Sequence, residues 1–500
     1  MLSICSSMIS SPSPPPPSSA AGTTRSIPGS YGFPLLGPLK DRLDYFWFQG
    51  QDKFFRSRME AHKSPVFRAN MPPTFPFFFG IDPRIVAVLD CDSFSSLFDP
   101  ALVDKRNVLV GSYMPSLSFT GDIRVGVYLD TTEPGHAAVK KFSLDLLRRS
   151  SAVWFSSFES NLSRMLSTIE SELGQNSSSN FFIPLQKCIF SFLCKSIIGV
   201  EPSVSSEVGD GGFVMLDKWL ALQLLPTVSA QALPQPFAEI FLHSFPFPFF
   251  LVAGDYKKLY NFVAKHGAEV VSIAEEYGLT KDEAIHNILF VLGFNAFGGF
   301  TVFLPALITT IGRDKTGLKQ RLREEVRSHI KSEKGVVGFE ELKGMELVWS
   351  TVYEVLRLNP PVPLQFGRAR EDFELNSRGA RYPVKKGELL CGYQPIVMRD
   401  PTVFDRADEF VADRFIGEEG KRLLNYLFWS NGPETGTPSV QNKQCAAKDH
   451  VVATACFMLA EIFRRYDDYE CGDGMDFTKL EKATATTATV SAAAAPGGVK

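Results

Sequence analysis

Cys445 closes a segment whose residue types suit one kind of chemistry. The run is Phe428-Trp429-Ser430-Asn431-Gly432-Pro433-Glu434-Thr435-Gly436-Thr437-Pro438-Ser439-Val440-Gln441-Asn442-Lys443-Gln444-Cys445. An aromatic start, a loop of Gly, Pro, Ser and Thr with little side-chain bulk, and a cation two places before the cysteine all precede an apolar stretch. That order suits a thiolate presented to a planar iron macrocycle, with Lys443 placed to meet a propionate and Cys445 supplying the axial sulfur. Gly432 and Gly436 predict a loop that lies flat against such a ring. A helix is expected from Ala446, with Val452, Cys456, Leu459 and Phe463 on one stripe, and its positive end should favour the deprotonated sulfur.

Two further constellations carry polar groups in apolar surroundings. Glu354-Val355-Leu356-Arg357 puts a carboxylate and a guanidinium at i and i+3, on one helical face, where they can pair. Gly293-Phe294-Asn295-Ala296-Phe297-Gly298-Gly299-Phe300 offers one amide and no carboxylate, and Thr301 nearby lacks an acidic neighbour in the sequence. An amide can both donate and accept a hydrogen bond.

The elements that must position these groups can be read in outline. From about Asp282 the chain is strongly helical, strands and loops fill Pro360 to Tyr393, and the cysteine loop and its helix follow. Pro134 to Arg149 reads as an amphipathic helix and Pro83–Asp90 as a strand. Ile288 to Ile311 is long and apolar enough to span a bilayer. Asn295, the glycines and Pro305, which should break it, favour instead a helix through the middle of a large globular domain. Phe245-Pro246-Phe247-Pro248-Phe249-Phe250-Leu251 suits either peripheral contact with a membrane surface or a buried wall.

The chain has 500 residues, 44% hydrophobic, 43 of them Phe, and no linker-like stretch in its middle, so a single large domain is expected. A net charge of −3 without a basic stripe argues against nucleic acid. The eight cysteines are scattered, with no Cys-x-x-Cys, and read as reduced thiols rather than zinc ligands. Residues 1–26 are rich in Ser and Pro and lack acids, which suits a plastid transit peptide or a disordered tail. No anchor helix is expected before the domain, and 483–500 reads as a disordered tail.

The cysteine loop, the Glu-x-x-Arg helix and Phe410-Val411-Ala412-Asp413-Arg414-Phe415, in that combination, resemble cytochromes P450. The common P450 pattern is F-x-x-G-x-R-x-C-x-G. Here Gly432 lies 13 positions before Cys445 rather than four, Lys443 replaces the Arg, and Ala447 replaces the closing Gly. The form N-G-P-x-T-x-x-P-x-x-x-N-K-Q-C-A-x-K-D is similar to that of the plant enzymes that rearrange fatty acid hydroperoxides: allene oxide synthases, hydroperoxide lyases and divinyl ether synthases. The likeness runs from about Ile27 to about Lys482.

That resemblance implies a cytochrome P450 fold, mainly α with a small β part, over 27–482. It implies haem b on a Cys445 thiolate, and a buried cluster of Glu354, Arg357 and Arg414. It places Lys105, His136, Lys140, Lys443 and, more weakly, Arg368 at the propionates, with Asn442 also at the cofactor. Asn295 becomes the catalytic amide. Ordinary P450s carry an acid-alcohol pair that feeds protons to O2; its absence here implies a substrate that brings its own peroxide, with no O2, NADPH or reductase. Allene oxide synthases typically have Phe where Leu109 stands and a hydroxyl residue where Ala296 stands. Leu109 and Ala296, with Phe294 and Phe297, therefore look like product-determining residues of a hydroperoxide lyase. Such an enzyme would cut a 13-hydroperoxide of linolenic or linoleic acid into a six-carbon aldehyde and a twelve-carbon oxo-acid. An allene oxide synthase on the same scaffold is the alternative. A conventional monooxygenase would need NADPH and a reductase. A non-catalytic haem or lipid carrier, or a membrane-embedded protein, would leave hydroperoxide unchanged.

Overall fold

Thr280 and Glu283 start the longest helix by a capping box, in which the Thr280 hydroxyl accepts from the Glu283 N–H and the Glu283 carboxylate accepts from the Thr280 N–H. From there the chain is helical over Lys281–Gly312, and its most apolar part is more than half buried. By length and composition this helix could cross a membrane; it packs instead against helices Phe182–Leu193, Glu346–Leu358 and Lys448–Arg465. These positions come from a computed structural model that describes residues 23–483, apart from 75, 230–232 and 331–337.

Pro305 does not break the helix, contrary to the expectation from sequence; it lies inside Gly298–Gly312. Proline removes one backbone N–H. Phe303, Leu304, Leu307 and Ile308 around it are fully buried, and their packing outweighs that loss. The departure from α geometry comes earlier, as a π turn over Val291–Phe297.

Among the described residues the larger hydrophobic core runs from Ile27 to Phe477 and takes in most of the long helices, while Phe54 and Phe55 of helix Gln51–His62 pack in a smaller one with Phe67, Ile85 and Cys391. Helix Lys448–Arg465 is buried on nearly every side, so Val452, Cys456, Leu459 and Phe463 are part of an all-round core helix rather than a stripe. It also opens at Lys448, two residues later than expected.

The β part is small. A five-stranded mixed sheet has the order Val66–Asn70, Arg84–Val88, Leu389–Tyr393, Leu364–Ala369, Val103–Asp104. Its last pair aligns Asp104 with Arg368, so the sheet edge delivers Lys105 directly. Two three-stranded sheets complete it. Thr23–Thr24 pairs with Ala380–Arg381, so the ordered chain begins before Ile27, inside the segment read as a leader or tail. Residues 1–22 and 484–500 lie outside the described residues.

Candidate active site

Cys445 is half-buried and held at both ends of its backbone. Its N–H donates to the Ser430 carbonyl at 2.9 Å, and its own carbonyl accepts from the Lys448 N–H at 3.2 Å. The inserted loop is shaped by its own side chains. Asn442 accepts from the Ser439 and Gln444 N–H groups at 3.1 and 3.2 Å and donates to the Thr437 carbonyl at 2.9 Å. Its amide shapes the loop that carries Lys443 and Cys445. The two glycines also have another use than lying against a ring. A Cβ on Gly432 or Gly436 would come within 3.0 or 2.7 Å of the Gln444 side chain. Gln444 is buried and donates to Ser430 Oγ at 3.2 Å and the Pro433 carbonyl at 2.6 Å. The loop is thus folded around a glutamine.

The helix end does not by itself lower the Cys445 thiol. Burial pushes it up, against the pull of the Ala447 N–H and the charges of Lys140 and Lys448. A coordinating metal deprotonates a thiol outright, so the ligand role does not need a lowered free thiol.

Positive charge gathers around this loop. Lys140 donates to the Gln444 carbonyl, next to the cysteine. Lys443 donates to the carbonyls of Gly126 and Leu129 at 2.9 and 2.8 Å, and Lys105 to that of Phe366 at 2.5 Å. Burial pulls Lys105 and Lys443 down to about 7 and Lys140 down to about 8, and His136 falls to about 4. After burial the next cause for the first two and for His136 is the charge of a neighbouring lysine. The nearby Asp130 carboxylate is already engaged by the Lys105 N–H, Thr132 and Arg370. His136 Nδ1 is buried without a partner. Three lysines held mainly by neutral carbonyls, beside a histidine with an unpartnered ring nitrogen, are costly to keep charged unless an anion joins them. A haem with two propionates beside Cys445 fits that requirement. Arg368 does not join the cluster: its guanidinium donates to the Gly387 carbonyl at an exposed turn. Lys105 and Lys443 also line a cavity of about 140 Å³ with Asn442 and Gln444.

Asn295 sits in the π turn. Its neighbours Leu292, Gly293 and Phe297 are buried, whereas Asn295 is exposed, as is Val302 seven residues on. A Cβ on Gly299 would meet nothing within 4 Å. Asn295, Gly299 and Val302 therefore mark one open face on an otherwise packed helix. Gly293 and Gly298 have the opposite role. There a Cβ would come within 2.8 Å of Leu216 and Trp219, or of Leu220, so these glycines let helix Gly212–Leu224 approach closely. Thr301 donates its hydroxyl to the Gly298 carbonyl at 3.1 Å, and among the described residues no acid pairs with it. Ala296 and Leu109 are partly buried against the core, and Phe294 stacks on Phe290 with centroids 4.8 Å apart. Phe297 is wholly buried, so it does not share the face of Asn295 and belongs to the packing. The π turn has no signal in residue spacing; it is the feature that sequence reasoning missed.

Behind the site, Arg357 forms a two-pronged pair with Glu354 at 2.7 and 2.8 Å, and Arg414 Nε reaches both Glu354 oxygens at 3.1 Å. The two arginines also donate to the carbonyls of Met398, Ala407, Asp405 and Glu409, which ties the stretch before the cysteine loop to helix Glu346–Leu358.

A long core helix with an irregular turn, a buried Glu-Arg-Arg cluster and a loop cysteine ringed by cations define a cytochrome P450. The cytochrome P450 family model matches residues 314–434, ending inside the cysteine loop where the spacing departs from the common pattern. The chain is 57% identical over 460 residues to the chloroplastic linolenate hydroperoxide lyase of Arabidopsis thaliana, covering 92% of this chain and 93% of that one. It is 54% identical over 462 residues to the chloroplastic fatty acid hydroperoxide lyase of Solanum lycopersicum, covering 92% and 97%. Against allene oxide synthase 2 of Oryza sativa subsp. japonica the identity is 44% over 464 residues, covering 92% and 96%. The chain belongs to the cytochrome P450 family, in the branch that holds fatty acid hydroperoxide lyases and allene oxide synthases.

Proposed function

We propose that this chain is a haem-thiolate fatty acid hydroperoxide lyase that acts on 13-hydroperoxides of linolenic or linoleic acid without O2, NADPH or a reductase. The observation that carries this reading is the open helix face: it presents one amide and no acid-alcohol pair. The greater identity to the two lyases than to the allene oxide synthase supports lyase over synthase.

Haem b would be held by Cys445, with Lys105, His136, Lys140 and Lys443 toward its propionates, and when bound would supply one-electron cleavage of a peroxide bond. The chain's residues do the rest. Asn295 donates to one hydroperoxide oxygen and accepts from the terminal O–H, which orients the O–O bond. The apolar wall around it excludes water and offers no proton relay. The alkoxyl oxygen adds to the neighbouring double bond and leaves a carbon radical. The C–C bond of the resulting three-membered ring then opens to a vinyl ether radical, and return of the hydroxyl to it gives a hemiacetal, an isomer of the substrate, which breaks into an aldehyde and an oxo-acid. Loss of an electron and a proton from the carbon radical to the cleaved hydroxyl, which leaves as water, would give an allene oxide instead. Leu109 and Ala296 offer neither an aromatic ring nor a hydroxyl to favour that exit.

Purified protein mixed with 13-hydroperoxy-linolenate, without NADPH, should abolish the conjugated-diene absorbance and release a six-carbon aldehyde and a twelve-carbon oxo-acid. Turnover only with NADPH and a reductase would refute the reading. The double variant Leu109→Phe, Ala296→Ser should shift the products toward ketols derived from an allene oxide. An unchanged aldehyde yield would assign the choice of exit to other residues.

The chloroplastic names of the two lyases, with a leader read into residues 1–26, support a plastid location. An apolar surface supports peripheral membrane contact. Arg42 of helix Leu36–Leu43 bonds Glu239 and Ser244, and Phe46 stacks on His243, which joins that helix to the Phe237–Phe241 segment. On these joined segments and beside them in the chain Phe33, Leu36, Phe48, Phe237 and Phe241 are exposed, as is Phe250 further along the chain. A lipid surface is the occupant that suits a water-insoluble substrate. The variant Phe33→Ser, Leu36→Ser, Phe250→Ser should lower co-flotation with phosphatidylcholine vesicles by more than about tenfold. Equal flotation would place the contact elsewhere.

A further inference from the structure

The first residue of the inserted loop that is both charged and buried is Glu434, and its partners lie on either side of the cysteine in sequence. Trp429, before the insertion, donates its indole N–H to Glu434 Oε2 at 2.9 Å. Lys448, the first residue of the helix after Cys445, donates to the Glu434 carbonyl at 2.7 Å and lies 3.5 Å from its Oε1. The same ammonium is 2.9 Å from Asp449 Oδ1. Glu434 and Lys448 are both almost fully buried, at 3% and 5% exposure. The Glu434 N–H in turn donates to the Leu424 carbonyl at 3.1 Å.

The mechanism described above uses none of these groups, and a buried ion pair is weak as a source of stability. What this one does is geometric. Cys445 is held by two backbone bonds, to Ser430 and from Lys448. Ser430 follows Trp429 directly, so the clasp joins the neighbour of one anchor point to the other anchor point, Lys448. A loop lengthened as this one is has more conformations to lose, and a closure at its base compensates. Burial pushes the Glu434 carboxyl up to about 7; burial also pulls on Lys448, but Glu434 and Asp449 raise it above its ordinary value.

We propose that Trp429, Glu434 and Lys448 form a buried clasp that positions Cys445 for iron, fixing the lengthened loop to the first turn of its helix. They are positioning residues, acting through the two backbone bonds of the cysteine. The inference rests on the haem-thiolate reading and goes beyond it, because it assigns a role to residues that the mechanism above does not use.

The test uses Lys448→Met, Glu434→Gln and the double variant in the full-length holoprotein. The readouts are the position of the ferrous–CO absorption band, the rate of haem transfer to apomyoglobin, and Tm. Lys448→Met should convert part of the thiolate-type ferrous–CO band to the thiol type and speed haem loss by about tenfold or more, as loss of a group that orients a metal ligand does. Glu434→Gln keeps an oxygen for Trp429 and should show the same changes to a smaller extent. The double variant removes both charges and should regain Tm while keeping the altered band. A drop in Tm with wild-type band and haem loss would make the pair merely structural and overturn the proposal. If Lys448→Met fails to fold, the same criterion applies to Glu434→Gln and the double variant. A wild-type protein without any thiolate-type band would instead refute the haem-thiolate reading itself.

Discussion

Cys445→Ser should remove the thiolate-type ferrous–CO band and reduce hydroperoxide consumption to background. The substitution changes one atom. The two backbone bonds that hold the residue, to Ser430 and from Lys448, involve no side chain and should survive. A serine hydroxyl stays protonated and is a poor ligand for iron, whereas a coordinating thiol ionises. The cationic ring of Lys105, Lys140, Lys443 and His136 remains in the variant, so some haem can still bind through its propionates. Haem content from pyridine haemochrome and the ferrous–CO spectrum should therefore separate: content falls in part, the thiolate signature falls entirely. A variant with an unchanged Soret band and full turnover would show that another residue ligates the iron.

Asn295→Ala should slow hydroperoxide consumption by roughly 10²–10³-fold, the usual effect of losing a preorganised polar donor. The effect can be assigned to chemistry because the residue has little structural work. Its amide makes no hydrogen bond among the described residues, it is exposed, and alanine is the better helix former. Tm and the resting haem spectrum should stay at wild-type values while kcat falls. The conservative Asn295→Gln should restore part of the rate, since it keeps the amide but moves it by one methylene. Full activity in Asn295→Ala would remove the amide from the mechanism.

How much of this was legible in the sequence differs from residue to residue. Glu354, Arg357 and Arg414 are local patterns of charge in apolar runs, and the structure joins them in one buried cluster. Lys140 and His136 share a helix face one turn apart, and both face the cysteine loop. Arg368 looks equivalent as a cation, but the direction of its side chain on an edge-paired strand is a tertiary matter, and it turns to Gly387. Asn442 stands next to Lys443 in sequence, yet its amide closes the loop on itself. Phe297, two residues from Asn295, faces the core. In an α-helix that separation alone would not fix which residue is buried; the π turn shifts the faces within it. Pro305 reads as a breaker, and neighbours from three other helices keep it helical.

Taken alone, the sequence determined the chemistry on offer: one loop cysteine, nearby cations, and a long apolar helix with an amide where an acid and an alcohol would otherwise stand. Those are matters of residue type and spacing within one or two elements, which the chain carries wherever it folds. Only the tertiary structure decided which cations converge, which glycines serve packing against Gly212–Leu224 and which face open space, and that Gln444 and the Glu434–Lys448 pair fill the base of the inserted loop. The reason is that direction and burial depend on what other segments bring against a side chain. Lys443 and Gly126 are 317 residues apart, and no local pattern encodes their meeting.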